Sequence, residues 1–161
     1  MFARFFISET SSRETVMFRR FIATTDAWVT VPLRLIMGVL FVVHGAEKVF
    51  GVRGGPGLSR WISMEAASSG LRPAWVWLGA AALFEFIGGL LTLFGLLTRL
   101  GALMIIPVML VAIYSGLHTA ENWNFPLQRI GYPLAMLAIA LALLIAGGGR
   151  ASIDRTLMRR R

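Results

Sequence analysis

The 161-residue chain contains no cysteine. It therefore has no disulfide, no thiolate ligands for an iron–sulfur cluster, no thioether attachment for haem and no thiol–disulfide exchange of its own. Any electrons it handles travel on a bound group or on a partner. Charge is scarce as well. Asp, Glu, Lys and Arg make up 15% of the residues, against roughly 25% in an average soluble domain. Acidic residues number 8 and histidines 2. What is abundant is hydrocarbon: 57% of the residues are apolar and the mean hydropathy is +0.71. An ordinary soluble domain is excluded, and the chain reads as an integral membrane protein. The basic excess, 16 residues against 8 for a net charge of +8, sits mostly at the termini and in loops. That placement suits membrane topology and anionic lipid, not nucleic acid.

Residues 1–28 read as an arm lying on the membrane. Ser11 and Glu14 have capping-box spacing, and Met17, Phe18, Phe21 and Ile22 gather on one side of the helix that follows, with Arg19 and Arg20 largely outside that arc. The first apolar run starts only near residue 29 and ends in HGAEKVFG without a small-x-small cleavage site, so it reads as a span and not as a cleaved signal. Four spans are expected, at 29–50, 73–97, 100–118 and 131–147, with a basic tail over 148–161. Between the first two, the GVRGGPG stretch (51–57) breaks regular structure and matches neither phosphate-loop nor dinucleotide spacing. Residues 58–69 suit a short amphipathic helix around Leu58, Trp61 and Ile62, closed by Gly70. The expected fold is all-α: one membrane domain over 1–161, an antiparallel four-helix bundle with an N-terminal interfacial helix.

Four spans place both termini and the turn at 98–99 on one side. That side carries Arg4, Arg13, Arg19, Arg20, Arg99, Arg150, Arg155, Arg159, Arg160 and Arg161, against Lys48, Arg53, Arg60, Arg72 and Arg129 on the other. The positive-inside rule makes both termini cytoplasmic. Trp28 then marks the inner boundary, and Trp75, Trp77 and Trp123 the outer one.

The inward faces follow from small and polar residues. In the second span Ala81, Glu85, Gly88, Thr92, Gly95 and Arg99 form one seam, and lipid cannot satisfy a carboxylate, so Glu85 should face the interior. In the first, Arg34, Gly38, Phe41, His44, Gly45 and Lys48 share an arc. Ala135, Ala138, Ala142 and Ala146 offer a stripe for close packing in the fourth. The ionisable residues within the membrane then fall mostly in its middle or outer half: His44, Lys48, Glu85, and His118 with Tyr114 one turn below it. Such residues are by default a functional hypothesis, since each costs at least ~2.5 kcal/mol in hydrocarbon. The plain alternative is a buried network in which Glu85 is neutral, or pairs with Lys48 or a histidine, and merely fixes helix register. His44/Glu47 and His118/Glu121 repeat a His-x-x-Glu pattern. Carboxylate-bridged di-iron bundles order the pair the other way and add glutamates from two further helices, so metal ligation by these four is a minor reading. Haem ligation by the two histidines is thinner still.

Arg34-Leu35 with Gly38, His44-Gly45-Ala46-Glu47-Lys48 and Phe50-Gly51 form one group of motifs. Phe84-Glu85, Gly88-Gly89, Gly95-Leu96-Leu97-Thr98-Arg99, Gly149-Arg150 and Ser152-Ile153-Asp154 complete it. In order and spacing these resemble the DoxX family of small four-helix bacterial membrane proteins, over about residues 30–155. The resemblance implies kinship with small membrane subunits of thiosulfate:quinone oxidoreductase-like enzymes and of an oxidoreductase complex linked to thiol and oxidative stress. It carries over the pattern positions His44, Lys48 and Glu85; Glu47 stands where the family often has a neutral glutamine.

Two functions are therefore expected. In the first, the chain is a small subunit of an oxidoreductase complex in the bacterial inner membrane. A quinone or a small anionic sulfur compound would bind near His44, Lys48, Glu85, Tyr114 and His118, with His44, Glu85 and His118 as candidate catalytic groups. Lys48 would supply positive charge, a histidine would donate to a quinone carbonyl and relay protons, and Glu85 would orient them. No covalently bound cofactor is expected. In the second, the bundle is a structural or assembly subunit packed against a larger membrane complex. In both, anionic lipids and other membrane subunits are the partners.

Overall fold

Prolines sit in or just before the first turn of three long helices, where the missing N–H costs nothing. Pro32 lies in α1 (Thr30–Phe50), Pro73 precedes α3 (Ala74–Phe94) and Pro126 opens α5 (Pro126–Ala146). The remaining helices of this computed structural model are α2 (Gly57–Glu65), α4 (Thr98–His118) and α6 (Ile153–Arg159). Residues 24–66, 72–118 and 126–159 are described, and no strand occurs among them. The expected capping box at Ser11 and the arm helix up to residue 23 lie outside the described residues, as do Gly70, Glu121 and Trp123. Helices α3, α4 and α5 are each long and apolar enough to cross a membrane. Helix α1 counts as a fourth jointly with the Val52–Glu65 segment, from which it is bent by 97°.

The long helices form a ring in the order α1, α3, α4, α5, each neighbour antiparallel. Glycines set the register between α1 and α3. A Cβ on Gly38 would meet the Leu93 backbone at 2.6 Å, one on Gly89 the Val42 nitrogen at 2.7 Å, and one on Gly45 the Phe86 nitrogen at 2.5 Å. No side chain fits at any of the three, so the two backbones lie in contact. Helices α3 and α4 approach through Gly88 and Gly101, with Thr92 packed against Gly101. The α4–α5 pair is joined at one end by Arg99 donating to the Ile145 carbonyl at 2.9 Å, and at the other by Gly116 lying over Ile130. The contact of α5 with α1 is the loosest of the four. Met37 and Phe41 of α1, Ala102, Ile105 and Met109 of α4, and Met136, Ala140 and Leu143 of α5 fill the centre.

The faces expected from small and polar residues hold on α3 and, except at His44, which is exposed, on α1. Arg34, Gly38, Phe41 and Gly45 are buried, as are Glu85, Gly88 and Thr92, although the α3 seam turns slightly to take in Ala82 and Gly89 in place of Ala81. On α5 the expectation fails. Ala135 and Ala138 are exposed, and the buried line is Pro133, Met136, Ala140 and Leu143. Small residues permit close helix contact without requiring it, so an alanine stripe is a weak guide to the packed face. With Met37 and Phe41 of α1 and Ile105 and Met109 of α4, the larger side chains Met136 and Leu143 fill the middle of the ring from α5. The helix also begins five residues earlier than expected, because Pro126 starts it through a polar first turn.

The end of the bundle that carries the α3–α4 turn, called the inner end after the topology expected from the sequence, is closed by the C-terminal segment. Gly95 ends α3 at φ 65, and Leu97 follows at φ 48, left-handed without being glycine. The buried Asp154 carboxylate holds this turn, accepting from the Leu97 N–H at 2.6 Å and from the Thr98 N–H and hydroxyl at 2.9 Å each. It caps α4 from 56 residues away. Arg34, 4% exposed, donates from α1 to the Gly148 carbonyl at 2.8 Å and the Ala151 carbonyl at 2.5 Å. Nearby Asp154 supplies its countercharge. Arg34 is thus a fastener for the inner end, with no part in the outer cluster.

Candidate functional site

Glu85 lies near the midpoint of α3 and is 4% exposed. A bare carboxylate there would be too costly, so a partner is required. Three residues beyond the Gly45–Phe86 contact, Lys48 on α1 reaches it. The ammonium donates to both carboxylate oxygens at 2.7 Å. The Trp61 ring of α2 covers the same ammonium, its centroid 4.9 Å away, adding a cation–π contact.

The route of the chain makes this possible. Gly51 ends α1 at φ 68, Arg53 and Gly54 continue with positive φ, and Gly55 passes so close to Glu47 that a Cβ would sit 2.5 Å from its carbonyl oxygen. The chain folds back and lays α2 over the outer ends of α1 and α3. Half-buried Leu58, Trp61 and Ile62 face the bundle, while Ser59, Arg60 and Ser63 face out. The amphipathic helix expected over 58–69 is thus present over Gly57–Glu65.

His44, one turn before Lys48, sits at the edge of the inward arc and is exposed. Its Nδ1 lies 2.9 Å from the Leu40 carbonyl oxygen. A carbonyl only accepts, so Nδ1 carries a proton, and in the neutral form of the ring Nε2 is left as a lone pair. Across the loose α1–α5 contact the ring faces Tyr132, centroids 6.2 Å apart and planes tilted by 35°. Tyr132 also lies within electrostatic reach of Glu85. One corner of the outer half therefore gathers His44, Lys48, Glu85, Tyr132 and Trp61 from four helices.

The other expected positions fall elsewhere. Tyr114 points outward from α4, 64% exposed. His118 ends α4, but its side chain and the whole of Glu121 lie outside the described residues. Glu47 pairs with Arg53, whose Nε is 3.8 Å from its carboxylate. Among the described residues no three His, Cys, Asp or Glu side chains gather as a metal would require. Sequence reasoning missed Tyr132 and the covering role of Trp61. Tyr132 carries a signal in hindsight, being one of only two tyrosines and lying in the outer part of its helix.

Chemically the cluster combines a neutralised ion pair, an imidazole lone pair and a phenol. It can accept a proton at Nε2 and hydrogen-bond a neutral polar head group. It offers little free positive charge, because Lys48 is engaged on both carboxylate oxygens. The model of one protein family, described as DoxX, matches residues 29–118. That match contains His44, Lys48, Trp61 and Glu85, while Tyr132 and Asp154 lie beyond it. No curated protein and no solved structure matches the chain.

Proposed function

The chain belongs to the DoxX family of membrane proteins, and from that premise we propose that it is a small subunit of a membrane oxidoreductase complex whose redox ligand, a quinone or a sulfur compound, binds at the outer corner between α1 and α5. The observation that carries the proposal is the exposed His44 Nε2 lone pair, set beside Tyr132 and backed by the buried Lys48–Glu85 pair. A structural fastener does not require an exposed imidazole with one free nitrogen. The inner end shows what a fastener looks like here: Arg34 and Asp154 are both buried and engage backbone groups.

The polar groups present fit a quinone. His44 and Tyr132 would hold its head group, and the neutralised Lys48–Glu85 pair would add no net charge beside it. A bound quinone supplies two-electron, two-proton chemistry. His44 is arranged to take a proton at Nε2, because the Leu40 carbonyl fixes its tautomer. Once protonated there, the same nitrogen becomes a donor. The role expected for a histidine, donation to a carbonyl, thus applies only to the protonated ring. Lys48 holds Glu85 and does not present an open cationic site. In this proposal both termini lie on the cytoplasmic face of a bacterial inner membrane. Support comes from the ten-to-five arginine and lysine asymmetry and from Arg150 stacking on Trp28 at 5.4 Å, as at a membrane boundary.

The test is purification of the protein with its native partners, followed by extraction and identification of bound quinone and measurement of quinol-dependent turnover. His44→Ala is expected to lower turnover by about 10²-fold, as loss of a general base does. A complex with no quinone and full turnover in the His44→Ala form would leave the structural-subunit function in its place.

A further inference from the structure

The cluster has two possible approaches, and the structure treats them differently. From the outer aqueous side, α2 lies across the ends of α1 and α3 with Trp61 stacked on the Lys48 ammonium. Ile62 sits over Gly79, its Cδ1 4.0 Å from where a Cβ would be, so α2 beds directly on the α3 backbone. Its outward face carries Ser59, Arg60 and Ser63, with Met64 the one large apolar side chain among them. The glycines at 45 and 89 close the α1–α3 seam to backbone contact below it. From the lipid side, the α1–α5 contact is the loosest in the ring, and there His44 and Tyr132 are both exposed.

We infer that α2 is a seal, with Trp61 as its plug, and that ligands reach His44 laterally from the bilayer through the α1–α5 seam and not from water. The inference rests on the site proposed above and narrows its ligand class. A sulfur anion dissolved in water meets Trp61 and a cation already neutralised. An amphiphile dissolved in the membrane, with a hydroxyl on its head group, meets the Nε2 lone pair directly. Its hydroxyl donates to Nε2, its ring lies against Tyr132, and its tail stays among the acyl chains.

The cysteine-free sequence makes the test direct. Single-cysteine variants His44→Cys, Tyr132→Cys and Ser63→Cys are placed in lipid nanodiscs, where both membrane faces are open to water. Each is reacted with a charged methanethiosulfonate that stays in water and with a lipid-partitioning N-alkyl maleimide. Thiol modification follows access as well as thiolate content, so rates are compared with each variant's own rate after unfolding. The charged reagent is expected to modify His44→Cys and Tyr132→Cys at least about 30-fold more slowly than Ser63→Cys, while the lipid-borne reagent modifies both. Adding Trp61→Ala should raise the aqueous rate at His44→Cys about tenfold. Aqueous modification of His44→Cys as fast as that of Ser63→Cys with Trp61 in place would overturn the seal, and so would a rate indifferent to Trp61→Ala. These readouts need no redox ligand. Protection of Tyr132→Cys by a short-chain quinone is a separate arm: its absence, with the access pattern intact, would count against the quinone and leave the seal standing.

Discussion

Replacing Glu85 with alanine removes one half of an ion pair set near mid-span. At 2.7 Å, Coulomb's law with an effective dielectric constant of roughly 20 gives about 6 kcal/mol of gross attraction. Desolvation of the two groups offsets most of it. Breaking a fully buried pair costs about 3–5 kcal/mol, because the remaining charge is stranded, whereas exposed pairs contribute about 0–1 kcal/mol. The Glu85 side chain is 6% exposed and that of Lys48 24%, so the lysine can partly snorkel toward the outer surface once released. Glu85→Ala is therefore expected to destabilise by about 2–3 kcal/mol, between the buried and exposed limits. Lys48→Met strands the better-buried carboxylate and should cost about 3 kcal/mol. The double variant Lys48→Met/Glu85→Ala should cost clearly less than the two singles together, with a coupling of about 2 kcal/mol. The assay is equilibrium unfolding in mixed micelles, read by far-UV circular dichroism for all four members of the cycle. Strictly additive losses would mean that the two side chains do not interact, and the outer cluster would lose its base.

Close packing makes a second prediction. Gly45→Val must push α1 from α3 and should abolish folding or cost more than about 3 kcal/mol by overpacking. Gly131→Ala has nothing within 4 Å of its Cβ and should be neutral or slightly stabilising; thermal unfolding of the pair separates local packing from any general intolerance of glycine replacement. Asp154→Ala removes three hydrogen bonds from the α3–α4 turn. It should cost at least the ~1–2 kcal/mol of a lost helix cap, visible as faster amide exchange at Leu97 and Thr98. Reporter enzymes fused after the C-terminus should be active only when the reporter functions in the cytoplasm, and an active periplasmic reporter would reverse the topology.

The parts of the fold legible in the sequence were those where a residue type is meaningful in hydrocarbon. Glu85, Gly88 and Thr92 marked the inward face of α3 because a carboxylate needs company and small residues invite close approach. Arg34, Gly38 and Gly45 did the same for α1. Helix α5 carries apolar residues on every side through its membrane portion, so its face depends on the shape of the space it fills, and the alanines misled. The Lys48–Glu85 pairing stood among the readable alternatives because both residues occupy neighbouring depths. Tyr132 did not, since depth alone favoured Tyr114 beside His118, and only the ring order brings α5 against α1. Asp154 was visible as part of a motif but not as a cap, because its helix end lies 56 residues earlier in the chain. Trp61 read as an apolar face of a short helix; that the face lands on an ammonium depends on the reversal at Gly51–Gly57.

A ligand site built around His44 is tested most directly by photo-crosslinking the purified protein, in nanodiscs, with an azido-quinone and mapping the modified peptides. Labelling should fall on peptides containing His44 or Tyr132, compete with unmodified quinone, and weaken about tenfold in His44→Ala, the loss expected when one hydrogen-bonding group of a site is removed. Labelling spread over the lipid-facing surfaces of α3 and α4, unaffected by competitor or by His44→Ala, would contradict the assignment.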